Sequence, residues 1–163
     1  MKNIVLIGMP SSGKTTIGKI VALDLHRDFY DLDALIETTY RKSIPQIFSE
    51  EGEPSFRDKE TEVVKRVSAF SGAVLSCGGG VVLREENMRF LKENGVVVYV
   101  KRDVTKLSTK GRPLSKDLDT LRQMEKIRAP LYERYADNIV TNDTTPQETA
   151  QKVIRSVYET IDR

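Results

Sequence analysis

Residues 2–16 restrict this chain to a small set of folds. Ile4, Val5, Leu6 and Ile7 make a continuous apolar run, the pattern of a strand covered on both faces in a parallel sheet. Gly-Met-Pro-Ser-Ser-Gly-Lys-Thr follows from Gly8 to Thr15 and fits G-x-x-x-x-G-K-[ST], the phosphate-loop pattern. Ile17, Ile20, Val21 and Leu25 then recur at helical spacing, which predicts a helix over 14–25. Strand, loop and helix thus come in the order the motif requires. Small residues let successive N–H groups curl around a phosphate, and the helix N-terminus faces the anion. Gly8, Ser11, Ser12, Gly13, Lys14, Thr15 and Thr16 are the candidate nucleotide-binding residues. Lys14 is expected to reach the β/γ-phosphates and the Thr15 hydroxyl to ligate Mg²⁺. Binding of ATP or GTP is the first expectation.

Further apolar segments at 29–31, 73–76, 96–100 and 138–140 alternate with helical patterns. Those patterns fall near 33–50 (broken at Pro45), 54–70, 85–93, 117–135 and 146–161. The alternation predicts an α/β fold, a parallel sheet with helices on both faces, whose ligands sit beyond the carboxyl ends of the strands. A length of 163 residues suits one domain. Basic and acidic side chains nearly balance, 26 against 24, so no strong field recommends nucleic acid or a membrane surface. The lone cysteine, Cys77, excludes an internal disulfide and suits a reducing cytoplasm. No apolar run has the length of a membrane span. A soluble, cytoplasmic enzyme or switch is expected. Residues 108–117, polar and carrying Gly111 and Pro113, read as a short lid.

Asp31 and Asp33 stand where the second strand should end, on the ligand edge. The third strand ends in Ser-Cys-Gly-Gly-Gly without a carboxylate, so one of these two acids is the natural support for the metal. An extended chain would put both side chains on one side, one towards the metal and one towards an acceptor hydroxyl; Asp33 could instead cap the following helix. Gly78, Gly79 and Gly80 suggest a small substrate lying directly on backbone, or else a flexible turn. Cys77 reads as a small buried apolar residue, and His26 as a complement to the end of the first helix. Arg57 lies just inside a helix opened by Pro54, with Glu60 three residues on as a surface ion-pair partner. Arg112 precedes Pro113 on the lid, able to close over phosphates or to remain solvated. Arg128 falls within an apolar stripe of Leu121, Met124, Ile127 and Leu131, where Pro130 should kink or restart the helix.

Phosphate loop, Asp-x-Asp, Phe-Arg-x-x-Glu, Gly-Gly-Gly, Arg-Pro-Leu and Arg-x-Pro-Leu-Tyr occur in this order over most of the chain. The series closely resembles the shikimate kinases, relatives of the nucleoside monophosphate kinases. The resemblance implies a P-loop NTPase three-layer sandwich with strand order 2-3-1-4-5, a substrate region at about 31–60 and a lid at about 108–117. It implies a monomer that uses ATP, with Mg²⁺, to phosphorylate the 3-hydroxyl of shikimate in aromatic amino-acid (chorismate) biosynthesis. By the same resemblance Asp31 supports the metal through water, and Asp33 binds substrate hydroxyls and accepts the attacking proton. Arg57 and Arg128 clamp the substrate carboxylate, and Glu60 orients Arg57. Gly78, Gly79 and Gly80 present backbone to the ring, Arg112 swings in with the lid, and residues 142–146 border the adenine. Two departures stand out. Ser11 replaces a glycine common in such loops, and the stretch 106–112 is short, leaving Lys106 or Lys110 as the basic residue near adenine.

Overall fold

The computed structural model describes residues 1–107 and 117–161. Expectations for Arg112, Lys110 and most of the lid at 108–117 lie outside the described residues. The strands are β1 (Asn3–Ile7), β2 (Phe29–Asp31), β3 (Val74–Ser76), β4 (Gly95–Lys101) and β5 (Asn138–Thr141). The helices are α1 (Lys14–Leu25), α2 (Leu32–Tyr40), α3 (Ile44–Ser68), α4 (Glu85–Glu93), α5 (Leu118–Tyr135) and α6 (Pro146–Ile161). All five strands are parallel, in the order β2-β3-β1-β4-β5, so the expected topology is the observed one.

Strand alternation divides the core into two layers. Val5, Ile7, Leu75, Val97 and Tyr99 face one side, packed with Ile36 of α2, Val64 of α3, Met88 of α4 and Leu121 of α5. Ile4, Leu6, Val74, Val96 and Val98 face the other, packed with Ile17 and Val21 of α1 and Val153 and Val157 of α6. No residue of β1 is exposed, which is why Ile4 to Ile7 form an uninterrupted apolar run.

Three local expectations are corrected. The expected helix over 33–50 is two helices, and the break falls at residues 41–43 rather than at Pro45. Arg41 ends α2 in the left-handed conformation (φ 57°), Ser43 caps α3 by accepting from the Gln46 N–H, and Pro45 sits in the first turn, where a missing N–H costs little. α3 bends at Gly52 (φ 85°, ψ 168°), so the segment bearing Arg57 opens beside Pro54 as expected. α5 continues through Pro130 without restarting. Pro130 and Lys126 are both exposed, so the carbonyl that the proline leaves without a donor lies on the solvent side. The inward face of α5 carries Leu121, Arg128 and Tyr132, while Ile127 is 65% exposed. Of the expected stripe, Leu121, Met124 and Leu131 pack on the core while Ile127 turns outward and Arg128 turns in.

Candidate active site

The loop between β1 and α1 curls at the carboxyl edge of the sheet. Gly8 (φ 151°) and Gly13 (φ 100°) take backbone angles that a side chain disfavours. Space forbids one as well: a Cβ on Gly8 would lie 2.5 Å from the Val100 carbonyl oxygen, and one on Gly13 2.5 Å from Asn142 Nδ2. Ser11 adopts φ 61°, so the serine holds the left-handed angle usual for glycine, at a cost of about 1–2 kcal/mol. Lys14 is buried, and its ammonium donates to the carbonyls of Gly8 (2.8 Å) and Met9 (2.7 Å) and to Ser12 Oγ (3.4 Å). Asn142, which the resemblance set beside the adenine, is buried and acts as a strut. Its Nδ2 donates to the Ser12 carbonyl at 2.8 Å, and its Oδ1 accepts from Thr149 Oγ1 at 3.1 Å.

Asp31 both ends β2 and caps α2, accepting from the Ala34 N–H through Oδ1. The cap is therefore Asp31, not Asp33, and the two acids do not share an extended segment. Asp33 lies in the first turn of α2, half-buried. Both acids nevertheless line one cleft of about 350 Å³ with Lys14, Thr15, Thr16, Gly78 and Gly79. Thr15 Oγ1 donates to Asp31 Oδ2 at 2.9 Å and lies 3.3 Å from Ser76 Oγ. With its proton given to Asp31, the hydroxyl keeps lone pairs for a cation.

The glycine run is where the substrate side assembles. None of the three has positive φ; each is small because of its neighbours. A Cβ on Gly78 would lie 2.7 Å from Asp33 Oδ1 and 3.3 Å from Glu60 Oε2. One on Gly79 would meet Pro10 Cδ at 2.8 Å and Arg128 Nη1 at 3.2 Å, and one on Gly80 would overlap the Arg57 guanidinium. Protein side chains crowd this turn, which the sequence had left to a substrate or to a flexible turn. Consecutive Cα atoms lie about 3.8 Å apart, so Asp33, Arg128 and Arg57 converge.

The Arg57–Glu60 pair, expected at the surface, is buried: Nη1 meets Glu60 Oε1 at 3.0 Å, and Nη2 lies 3.6 Å from the exposed Glu53. Burial raises the Glu60 pKa from 4.5 to about 7; the Arg57 charge and hydrogen bond oppose the rise, Asp33 adds to it and Arg128 opposes it. Burial also lowers the Arg128 pKa. Tyr132, one turn beyond Arg128, donates to the Gly79 carbonyl at 2.5 Å, and its phenol is pushed up, chiefly by burial. Behind the turn, Thr61 donates to Asn87 Oδ1 (2.8 Å) and Asn87 Nδ2 to the Val81 carbonyl (3.1 Å), tying α3 and α4 to the chain after Gly80. Sequence reasoning gave no role to Tyr132, Thr61 or Asn87; the spacing of Tyr132 four residues after Arg128 was the one available signal.

The structure therefore brings together Gly8, Ser11, Ser12, Gly13, Lys14, Thr15, Thr16, Asp31, Asp33, Arg57, Gly78, Gly79, Gly80 and Arg128 at one edge of the sheet. Cys77 is buried beside them with its thiol pKa raised by burial. His26 caps the C-terminus of α1 in the left-handed conformation (φ 55°), away from the cleft residues. Among the described residues, no helix is long and apolar enough to cross a membrane.

The family model for shikimate kinase matches residues 10–158. The chain belongs to the shikimate kinase family. It is 41% identical to shikimate kinase of Thermodesulfovibrio yellowstonii, over 98% of this chain and 96% of that one. It is 42% identical to shikimate kinase of Pseudomonas fluorescens, over 90% of each. Among solved structures, shikimate kinase from Acinetobacter baumannii in complex with shikimate superposes with a TM-score of 0.93 at 36% identity, covering 98% of this chain and 94% of that one. The shikimate kinase likeness thus spans the sheet, the phosphate loop and the helices that carry both arginines.

Proposed function

We propose that the protein transfers the γ-phosphoryl group of ATP to the 3-hydroxyl of shikimate, releasing ADP and shikimate 3-phosphate for aromatic amino-acid biosynthesis. One observation carries the reading: two guanidinium groups from separate helices, Arg57 and Arg128, converge with Asp33 on the turn Gly78–Gly80, and Gly78, Gly79 and Asp33 line the cleft that also holds Lys14. Paired guanidiniums grip a carboxylate through charge-assisted, geometrically fixed hydrogen bonds. Membership of the shikimate kinase family supports the same choice.

In this reading the whole chain acts as one domain, with substrate gripped by residues of about 31–60 and a lid at about 108–117. Arg57 and Arg128 hold the shikimate carboxylate while Gly78, Gly79 and Gly80 present backbone to the ring. Asp33 accepts a hydrogen bond from the attacking hydroxyl and takes its proton as the new O–P bond forms and the bond to the ADP oxygen breaks. Lys14 leaves its carbonyl acceptors for the β/γ-phosphates, and backbone N–H groups of the loop after Pro10 cradle them. Arg112 adds charge from the lid. Thr15 and Asp31 offer hard oxygen donors that suit Mg²⁺, which keeps several waters of its own. When bound, Mg²⁺ supplies charge neutralisation on the phosphates. A monomer follows the family resemblance, and a reducing cytoplasm fits the single cysteine, held as a free buried thiol.

ADP release measured with shikimate, gluconate or a nucleoside monophosphate as acceptor tests the reading. Stimulation by shikimate alone is expected. Stimulation by another acceptor instead would overturn the substrate, and ATP binding without acceptor-dependent turnover would make the protein a nucleotide-binding module.

A further inference from the structure

Arg102 is a cation in the cleft to which neither the motifs nor the mechanism above give any work. It lines the same cleft as Pro10, Ser11, Lys14 and Thr15. Its position follows from strand register. Ile7, the last residue of β1, pairs with Tyr99, so β4 overhangs the start of the phosphate loop and Arg102 comes directly after it. That overhang is rigid: the Asn142 N–H donates to the Lys101 carbonyl at 2.7 Å, and the Val100 carbonyl packs against Gly8.

The side chain is half-buried, and its Nε is fully covered without an acceptor. Among the described residues no carboxylate or carbonyl pairs with this guanidinium. Arg57, whose Nε is likewise covered without an acceptor, has Glu60 for its Nη1, Arg84 has Asp58, and Lys14 has at least three acceptors. A covered N–H without an acceptor is costly, and the four Nη–H donors of the same guanidinium are left for an anion in the cleft. A planar fork of five donors matches the oxygens of a phosphate.

Topology selects which anion. β1 separates β3 from β4. The carboxylate clamp lies over the glycines after β3, whereas Arg102 follows β4, on the other side of the loop. We infer that Arg102 binds the terminal phosphates of the nucleotide, giving them a second fixed positive charge mounted on the sheet beside that of Lys14. The inference rests on the nucleotide-binding reading above and assigns a further residue to it.

Calorimetric titration of the full chain with AMP, Mg·ADP and a non-hydrolysable Mg·ATP analogue tests it, with Arg102→Gln and Arg102→Lys alongside the parent. Arg102→Gln is expected to weaken the ATP analogue about tenfold, the loss of one charge-assisted contact. AMP affinity and the KM for shikimate should stay within about twofold, and Arg102→Lys should recover part of the loss. Unchanged affinity for the ATP analogue in Arg102→Gln would overturn the inference, as would an equal loss for AMP, which marks general damage to the cleft. Arg102→Lys, which keeps the charge and the stem, carries the test if the glutamine variant folds poorly. A parent chain that binds no Mg·ATP would overturn the nucleotide reading itself.

Discussion

The Tyr132 hydroxyl donates a hydrogen bond of 2.5 Å to the carbonyl of Gly79. This contact joins α5 to the glycine turn one helical turn from Arg128, so the guanidinium and the backbone it overhangs are set by the same side chain. Tyr132→Phe leaves that carbonyl without its donor, at a cost of about 1–3 kcal/mol. A lower melting temperature and a raised KM for shikimate are expected, with the KM for ATP little changed. Chemical denaturation and initial rates at varied shikimate check both.

Gly80→Ala places a methyl group where the Arg57 guanidinium lies. The guanidinium must move, and a misaligned charge-assisted contact loses about 1.5–3 kcal/mol. The KM for shikimate should rise about 10–100-fold. An unchanged KM for shikimate would separate the glycine turn from substrate binding.

Arg57→Ala and Lys14→Ala should fail differently. The first removes half of the carboxylate grip and chiefly raises the KM for shikimate. The second removes charge at the transferring phosphoryl group and chiefly lowers kcat, by about 10²–10³-fold. Steady-state kinetics on both substrates measure the split, and equal loss of ATP and shikimate affinity in both variants would contradict it.

Glu60 makes stability depend on pH. Its folded pKa of about 7 lies above the ordinary 4.5, so between these values the folded protein holds a proton that the unfolded chain has released. Its contribution is fully present below about pH 4.5 and is lost as pH rises through about 7. The loss is on the order of 3 kcal/mol. Glu60→Gln cannot titrate, so the stability of the parent relative to this variant should fall across that range. Paired melting curves at several pH values read the difference; a flat difference would place Glu60 as a permanent carboxylate.

The strand positions were legible because each strand carries a short apolar run, whereas the sheet order came from the resemblance to the shikimate kinases, since apolar runs do not say which strands are neighbours. The phosphate loop was legible from eight consecutive positions, Gly8 to Thr15. The cap at Asp31 was not, because Asp31 and Asp33 offer equivalent side chains and only the backbone decides which one precedes the helix. The break at residues 41–43 was misplaced for a similar reason: Pro45 attracts attention, yet a proline in a first turn is compatible with a helix. Burial of the Arg57–Glu60 pair could not be read from an i, i+3 spacing that usually marks exposed charges. Asn142 reaches the Ser12 carbonyl across 130 positions of sequence, and Arg102 owes its place to strand register. Neither relation leaves a local pattern.

The smallness of Gly78, Gly79 and Gly80 is enforced by neighbouring side chains, not by their own backbone angles. Their substitutability is therefore conditional. A descendant that trimmed Arg57 would free Gly80 to acquire a side chain, and one that replaced Pro10 would begin to free Gly79. The turn and the clamp form a ratchet: the arginine has to go before the glycine can, and once a side chain has filled the gap the guanidinium has no way back.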